Sequence, residues 1–302
     1  MVDVLIKAGC FVLIILLGYT LRRTGFFKEG DFQVLSKIVL KITLPAAIVS
    51  SVANKEISPS LLFISLLGLL CGIVYVVIMC ILNLRNSRDQ MAFDVLNTPS
   101  YNIGNFTLPF VQSFLGPVGM LTVSLFDVGN AVICLGGTYS IASMIKSGGK
   151  FDIRKIINKL LHSIPFDTYM IMLILGLLQI RVPEAVTTFA GIIGGGNAFL
   201  AMLMIGVGFN LSGDRSQIAH IAKIIVIRYS VALALALVFF NFLPLELEYR
   251  QALALLVFSP IGSAVPAFTA ELKSDIGLAS AINSVSIIIS VICIVVVLAI
   301  VL

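Results

Sequence analysis

Asn102, Gly104, Asn105, Thr107 and Pro109 fall within eight positions of an otherwise apolar run, YNIGNFTLPF at 101–110. The amides of Asn102 and Asn105 each donate and accept hydrogen bonds, so they can hold a carboxylate without placing a permanent charge in an apolar medium. Pro109 has no N–H to give and frees the carbonyl of Asn105. A second run, SPIGSAVPAF at 259–268, is interrupted in the same way: Pro260 and Pro266 free the carbonyls of Leu256 and Gly262, with Ser259 and Ser263 beside them. Where a helix breaks, its second half begins with unpaired N–H groups at the positive end of a dipole, a seat for an anionic group.

The medium follows from composition. The 302 residues are 59% hydrophobic and 12% charged, with a mean hydropathy of +1.09, whereas soluble domains carry roughly 25% charged residues. This is the composition of an integral membrane protein. The net charge of +5 does not indicate nucleic acid, because the basic residues sit in short loops between apolar runs, where they act as topology signals. Cys10, Cys71, Cys80, Cys134 and Cys293 lie in apolar segments without metal-ligand spacing and read as small core residues. His162 and His220 form no paired motif, and with no nucleophile elbow or P-loop in the chain, no enzyme, cofactor or metal site is expected.

Ten spans are expected, at 4–21, 34–53, 59–83, 90–114, 118–145, 161–180, 185–211, 217–242, 249–271 and 275–300. The first ends in Arg22 and Arg23 without a cleavage site and reads as an anchor. Alternate loops hold Arg22, Arg23, Lys28, Arg85, Arg88, Lys146, Lys150, Arg154, Lys155, Lys159, Arg215 and Lys273 on one side, against Lys55, Arg181 and Arg250 on the other. The first set is expected to be cytoplasmic, which puts both termini outside. The polar linker 146–160 separates five spans (1–145) from five more (161–302), and an odd number per half makes the halves inverted repeats. Within it, Ile153, Ile156, Ile157 and Leu160 recur at helical spacing against Arg154, Lys155, Asn158 and Lys159, as in a short helix on the inner surface. The expected fold is therefore all-α, with crossed, broken spans 4 and 9 in two inverted five-helix repeats.

Other intramembrane polar groups are weighed singly. Asp127 and Asn130 share one face of the fifth span, Asp127 near mid-depth, and are the candidate proton-coupling pair; the competing role for Asp127 is an ion pair with a donor such as Arg228. Arg228 itself reads as a snorkelling or packing residue. Lys37 and Lys41 read as topology signals and Asp94 as a residue near the inner water. Asn283 and Ser284 are candidates to line a cavity or to glue helices, and the glycines from Gly191 to Gly208 read as close-packing positions.

The N-x-G-N-x-x-L-P pattern of Asn102, Gly104, Asn105, Leu108 and Pro109 resembles the fourth helix of the auxin efflux carrier family, the PIN-type carriers and their bacterial relatives, within the bile/arsenite/riboflavin transporter-like superfamily. Supporting likenesses are Leu44–Pro45 in the second span, MLMIGVGFNLSG (202–213) in the seventh, the prolines of the ninth and the serines of the tenth. The resemblance implies broken helices crossing at a central site and an organic anion moved by alternating access. The family often has glycine where this chain has Thr107, and the central loop is short beside that of the plant carriers, so the likeness is to a bacterial carboxylate carrier.

The leading function is thus secondary active transport of small organic anions, auxin-like or dicarboxylate. The alternatives are a sodium-coupled symporter of the bile acid type and a membrane sensor that does not transport. A sodium cage of side chains is not expected in SPIGSAVPAF, which has no Glu or Gln. Substrate contacts are expected from Asn102, Gly104, Asn105, Thr107, Pro109, Ser259, Pro260, Ser263, Pro266 and Asn283. The expected partners are the anion and the lipid bilayer, with a homodimer as a compatible assembly; the expected location is a bacterial inner (plasma) membrane.

Overall fold

A computed structural model describes residues 2–28, 30–55, 57–148, 151, 153–209 and 217–301, with the side chains of 2–5 and 155 left aside. Lys150, Arg215 and residues 210–213 of the MLMIGVGFNLSG segment lie outside them. Among the described residues the chain is all-helical: α1 Val2–Arg23, α2 Asp31–Val52, α3 Pro59–Leu82, α4 Arg88–Leu96, α5 Leu108–Phe114, α6 Gly116–Ser147, α7 Ile153–Leu160, α8 Ile164–Leu177, α9 Glu184–Gly208, α10 Ile218–Phe242, α11 Leu247–Leu256, α12 Val265–Glu271 and α13 Ile276–Val301. Six of these, α2, α3, α6, α9, α10 and α13, are long and apolar enough to cross a membrane. The sixth expected span is α8, only 14 residues long. The fourth and ninth are each two short helices, α4 with α5 and α11 with α12, around a non-helical segment.

Lipid, not water, is the outer solvent. On α3 the exposed side chains Leu66, Leu70, Ile73, Val77 and Ile81 recur at helical spacing, while Ile64, Cys71, Tyr75 and Met79 face inward. α10 is built the same way, with Ile224, Arg228, Ala232 and Ala236 forming the inward stripe. In such a medium helices associate by close packing, and glycine sets how close. α3 meets α6 through Gly68 and Gly129, and α1 meets α9 through Gly18 and Gly206, each glycine lying against the partner's backbone. The glycines of α9 are not a uniform packing set: Gly194 and Gly206 touch backbone, whereas Gly191 and Gly195 have nothing within 4 Å of where a Cβ would stand. In α7, Ile156 and Leu160 are buried against Ala131, and Ile153 and Ile157 are exposed.

The prolines are not all in helix interiors. Pro266 lies in the first turn of α12, where the missing N–H has no partner to lose, whereas Pro109 follows a helical turn without a break. Ahead of α5, residues Ile103–Thr107 widen to a π-helical turn, and Val39–Thr43 do the same ahead of Leu44–Pro45 in α2. The wider turn moves the preceding carbonyls out of the way of the proline ring.

Candidate functional site

The two non-helical segments, 97–102 and 257–264, lie against each other and run antiparallel. Gly262 N donates to Ser100 Oγ at 3.2 Å, Asn102 N to Pro260 O at 2.8 Å, and Asn105 Nδ2 to Ser263 Oγ at 3.2 Å. Thr107 and Ser259 hydroxyls bond each other, and Asn97 Nδ2 donates to Thr269 Oγ1 at 3.2 Å. Gly262 permits the approach, since a Cβ there would stand 2.9 Å from both Ser100 Oγ and Cys134 Sγ.

Backbone freed from a helix inside a membrane must find partners in protein, and each break has an asparagine that provides them. Asn130 on α6 treats Tyr101 as a neighbouring strand would: its Oδ1 accepts from Tyr101 N at 3.1 Å and its Nδ2 donates to Tyr101 O at 2.9 Å. Asn283 on α13 donates from Nδ2 to Ile261 O at 3.0 Å and to Gly262 O at 3.2 Å, while Ser286 Oγ accepts from Ile261 N at 3.1 Å.

Arg228 does not snorkel. It is wholly buried, its Nη1 donating to Thr98 O and its Nη2 to Ser259 O at 2.7 Å, one carbonyl from each break. Its guanidinium lies 5.0 Å from the ring centre of Tyr101 and 5.5 Å from that of Tyr75, within cation–π range. Nor does it pair with Asp127. Asp127 Oδ1 accepts from Asn130 Nδ2 at 2.8 Å and Oδ2 from the Tyr169 hydroxyl at 3.1 Å, and among the described residues it has no ion pair. The sequence signal for Arg228 was present, because an arginine in a long apolar helix is by default a functional residue; the length of its stem argued the other way.

Asp94 is wholly buried in the last turn of α4, two residues before Leu96, and its partners are partly exposed. His220 Nε2 lies 2.6 Å from Oδ1, and Lys223 Nζ lies 2.9 Å from Oδ2 while also donating to Asn83 Oδ1 at 2.9 Å. This cluster ties α4 and the end of α3 to α10. Removing one partner of a buried charge leaves it undersolvated, so Lys223→Met is expected to destabilise the protein by about 2 kcal/mol, less than for a fully buried pair because the Lys223 side chain is 32% exposed. The Tm of the purified variant in detergent checks this.

Two cavities flank the paired non-helical segments. The first, about 260 Å³, is walled by Asn102, Gly104, Asn105, Asp127, Asn130 and Tyr169, closed by Gly262 and Ser263, and reaches Lys41 and His162 toward the basic loops. The second, about 320 Å³, lies on the other face, between Asn102, Ser263, Pro266, Asn283 and Ser284, with Phe32 and Gly208 farther out. Asn102 and Ser263 belong to both. Thr107, Pro109, Ser259 and Pro260 line neither, and Thr107, Ser259 and Pro260 O bond the two broken spans to each other. Tyr169 from α8, Lys41 from α2 and His162 from the turn before α8 join the wall.

The amides at this wall are not all engaged. The Asn102 side chain makes no hydrogen bond among the described residues, and the buried Oδ1 of Asn105 has no partner. Turning the Asn105 amide by half a turn lets Ser263 donate to Oδ1 and puts the NH2 where the unpartnered oxygen stands. Beside them the π turn begins at Ile103, so the N–H groups of its first residues open on the same space. The set offers neutral donors around a small, partly apolar chamber.

Comparison with known proteins gives one finding: a family model described as membrane transport protein matches residues 10–302. No curated protein matches the chain.

Proposed function

The chain belongs to the membrane transport protein family, that of the auxin efflux carriers, and from that premise we propose that it is a secondary carrier of small organic anions, the carboxylate seated at the crossing by Asn102, Asn105 and the N-terminal turn at Ile103. The observation that carries this reading is the pair of incompletely used amides at a helix start, opening on a chamber of about 260 Å³ with Lys41 and His162 along its wall. The Lys41 ammonium along the approach draws an anion in, and neutral donors at its end let it leave. The two halves act as inverted repeats: α6 supports the first break through Asn130 as α13 supports the second through Asn283. Thermal unfolding of the purified protein against mono- and dicarboxylates and indole acids tests the reading, since a ligand of the folded state raises Tm by mass action. A flat response to every anion, in a protein that also fails to move them into liposomes, would overturn it.

Coupling to protons follows from the position of Asp127. Its Oδ2 lies 3.9 Å from where a Cβ on Gly104 would stand, on the wall that receives the anion. Two negative groups in one small chamber repel, and a proton on Asp127 removes the repulsion, so anion and proton bind with positive coupling. Asp127→Asn mimics the protonated form and keeps a hydrogen-bond acceptor for Tyr169. The variant is expected to exchange anion across a liposome membrane while losing accumulation driven by a pH gradient. Undiminished pH-driven accumulation would remove Asp127 from the coupling step.

A further inference from the structure

α4 and α11 both end at the crossing, at Leu96 and Leu256, so the negative ends of two half-helix dipoles converge there with the carbonyls that follow them. Converging C-terminal ends and unwound carbonyls form the kind of place where a transporter holds a coupling cation. In this protein the guanidinium of Arg228 fills it, donating to Thr98 O beyond α4 and to Ser259 O beyond α11. Among the described residues no carboxylate pairs with it: Asp94 is bound to His220 and Lys223, and Asp127 to Asn130 and Tyr169. A side chain meant only to satisfy two carbonyls could be neutral, and the desolvation of an unpaired cation is the larger cost.

We infer that Arg228 is a built-in counter-cation: its guanidinium occupies the seat a coupling sodium ion would take, so the anion is bound opposite a positive charge that the protein never releases. This deepens the carrier reading and rests on it. Arg228 is then a positioning and specificity residue for anion binding, acting through the crossing and not by touching the substrate. Two consequences follow. Anion binding by the wild type is indifferent to sodium, and removing the charge leaves a vacancy ringed by carbonyl oxygens that a free cation can enter.

The test uses the full-length protein in detergent, with N-methylglucamine, sodium or guanidinium chloride exchanged at constant ionic strength in the low millimolar range, and succinate and indole-3-acetate as the anion probes. Wild-type Tm and anion affinity are expected to be the same in all three salts. Arg228→Gln, which keeps hydrogen-bond donors and loses the charge, is expected to show a lowered Tm and roughly tenfold or greater loss of anion affinity, both recovered in part by guanidinium or sodium and not by N-methylglucamine. Arg228→Lys, which keeps the charge and loses the planar fork, is expected to bind the anion more tightly than Arg228→Gln. A sodium requirement in the wild type overturns the inference without any variant, and so does wild-type anion affinity of Arg228→Gln in N-methylglucamine. If Arg228→Gln does not fold in any salt, Arg228→Lys decides: retained folding and anion binding support the role of the charge, and their loss refutes it. The Tm response of Arg228→Gln to cations is read without any anion. Silence of both anions on the wild type therefore ends the carrier reading, while that response alone still judges the cation seat.

Discussion

The Asn102→Ala, Asn105→Ala double variant is expected to fold, to insert and to bind no carboxylate. Asn102 spends no side-chain hydrogen bond on the protein, so its truncation costs the fold little; Asn105 gives up one bond to Ser263, worth about 1 kcal/mol. Toward a bound anion the balance is different. A hydrogen bond to a charged group is worth about 1.5–3 kcal/mol, and losing two weakens binding by roughly a hundredfold or more. The measurement is the anion-induced rise in Tm, with uptake into liposomes as a second readout. Wild-type affinity in a well-folded double variant would end the assignment of the site.

Gly129→Ala is expected to be the most damaging single methyl group in the protein. A Cβ at 129 would stand 2.7 Å from Leu69 N and closer still to the Ser65 carbonyl, all of it backbone that cannot turn aside. Overpacking of this kind costs about 3 kcal/mol or more when the helices must separate, and the α3–α6 contact carries the first break through Asn130. Loss of folded protein on size-exclusion in detergent is the expected readout. Gly191→Ala is the control: it lies inside α9 with nothing near its Cβ position, so it should gain up to about 1 kcal/mol from helix propensity alone. Equal behaviour of the two variants would show that the close approach is not what holds α3 to α6.

The sequence carried the broken spans because proline and glycine act locally: Pro109, Pro260 and Pro266 have no N–H to give wherever the rest of the chain goes. The placing of the interruption was less legible. The π turn at Ile103–Thr107 moves the break upstream to 97–102, and a proline alone does not reveal whether it ends a helix or begins one. Side chains that act across the bundle were the hardest to read. Asn130 was visible as a polar residue near Asp127, but its use as a clamp on Tyr101 depends on helices brought together from 29 positions apart. Tyr169, Lys41 and His162 reach the chamber through tertiary packing alone. Arg228 was read from the length of its stem as snorkelling or packing, and only the fold shows that it is buried between both breaks; the partners of Asp94 likewise come from α10, 126 and 129 positions on.

The bond between Arg228 and Thr98 also sets a schedule. The two residues are 130 positions apart, and at roughly 5–20 residues per second of synthesis the first break exists for about 10 s before its arginine has been made. Late in that interval Asn130 can already hold Tyr101, but the partners of Thr98 O, Asn102 N and Asn105 Nδ2 are still missing. The chain through α6 is therefore not a unit of assembly. An arrested chain ending after α6 is left with polar backbone that only later helices can cover, and it is this intermediate, more than the finished carrier, that quality-control proteases of the membrane would recognise.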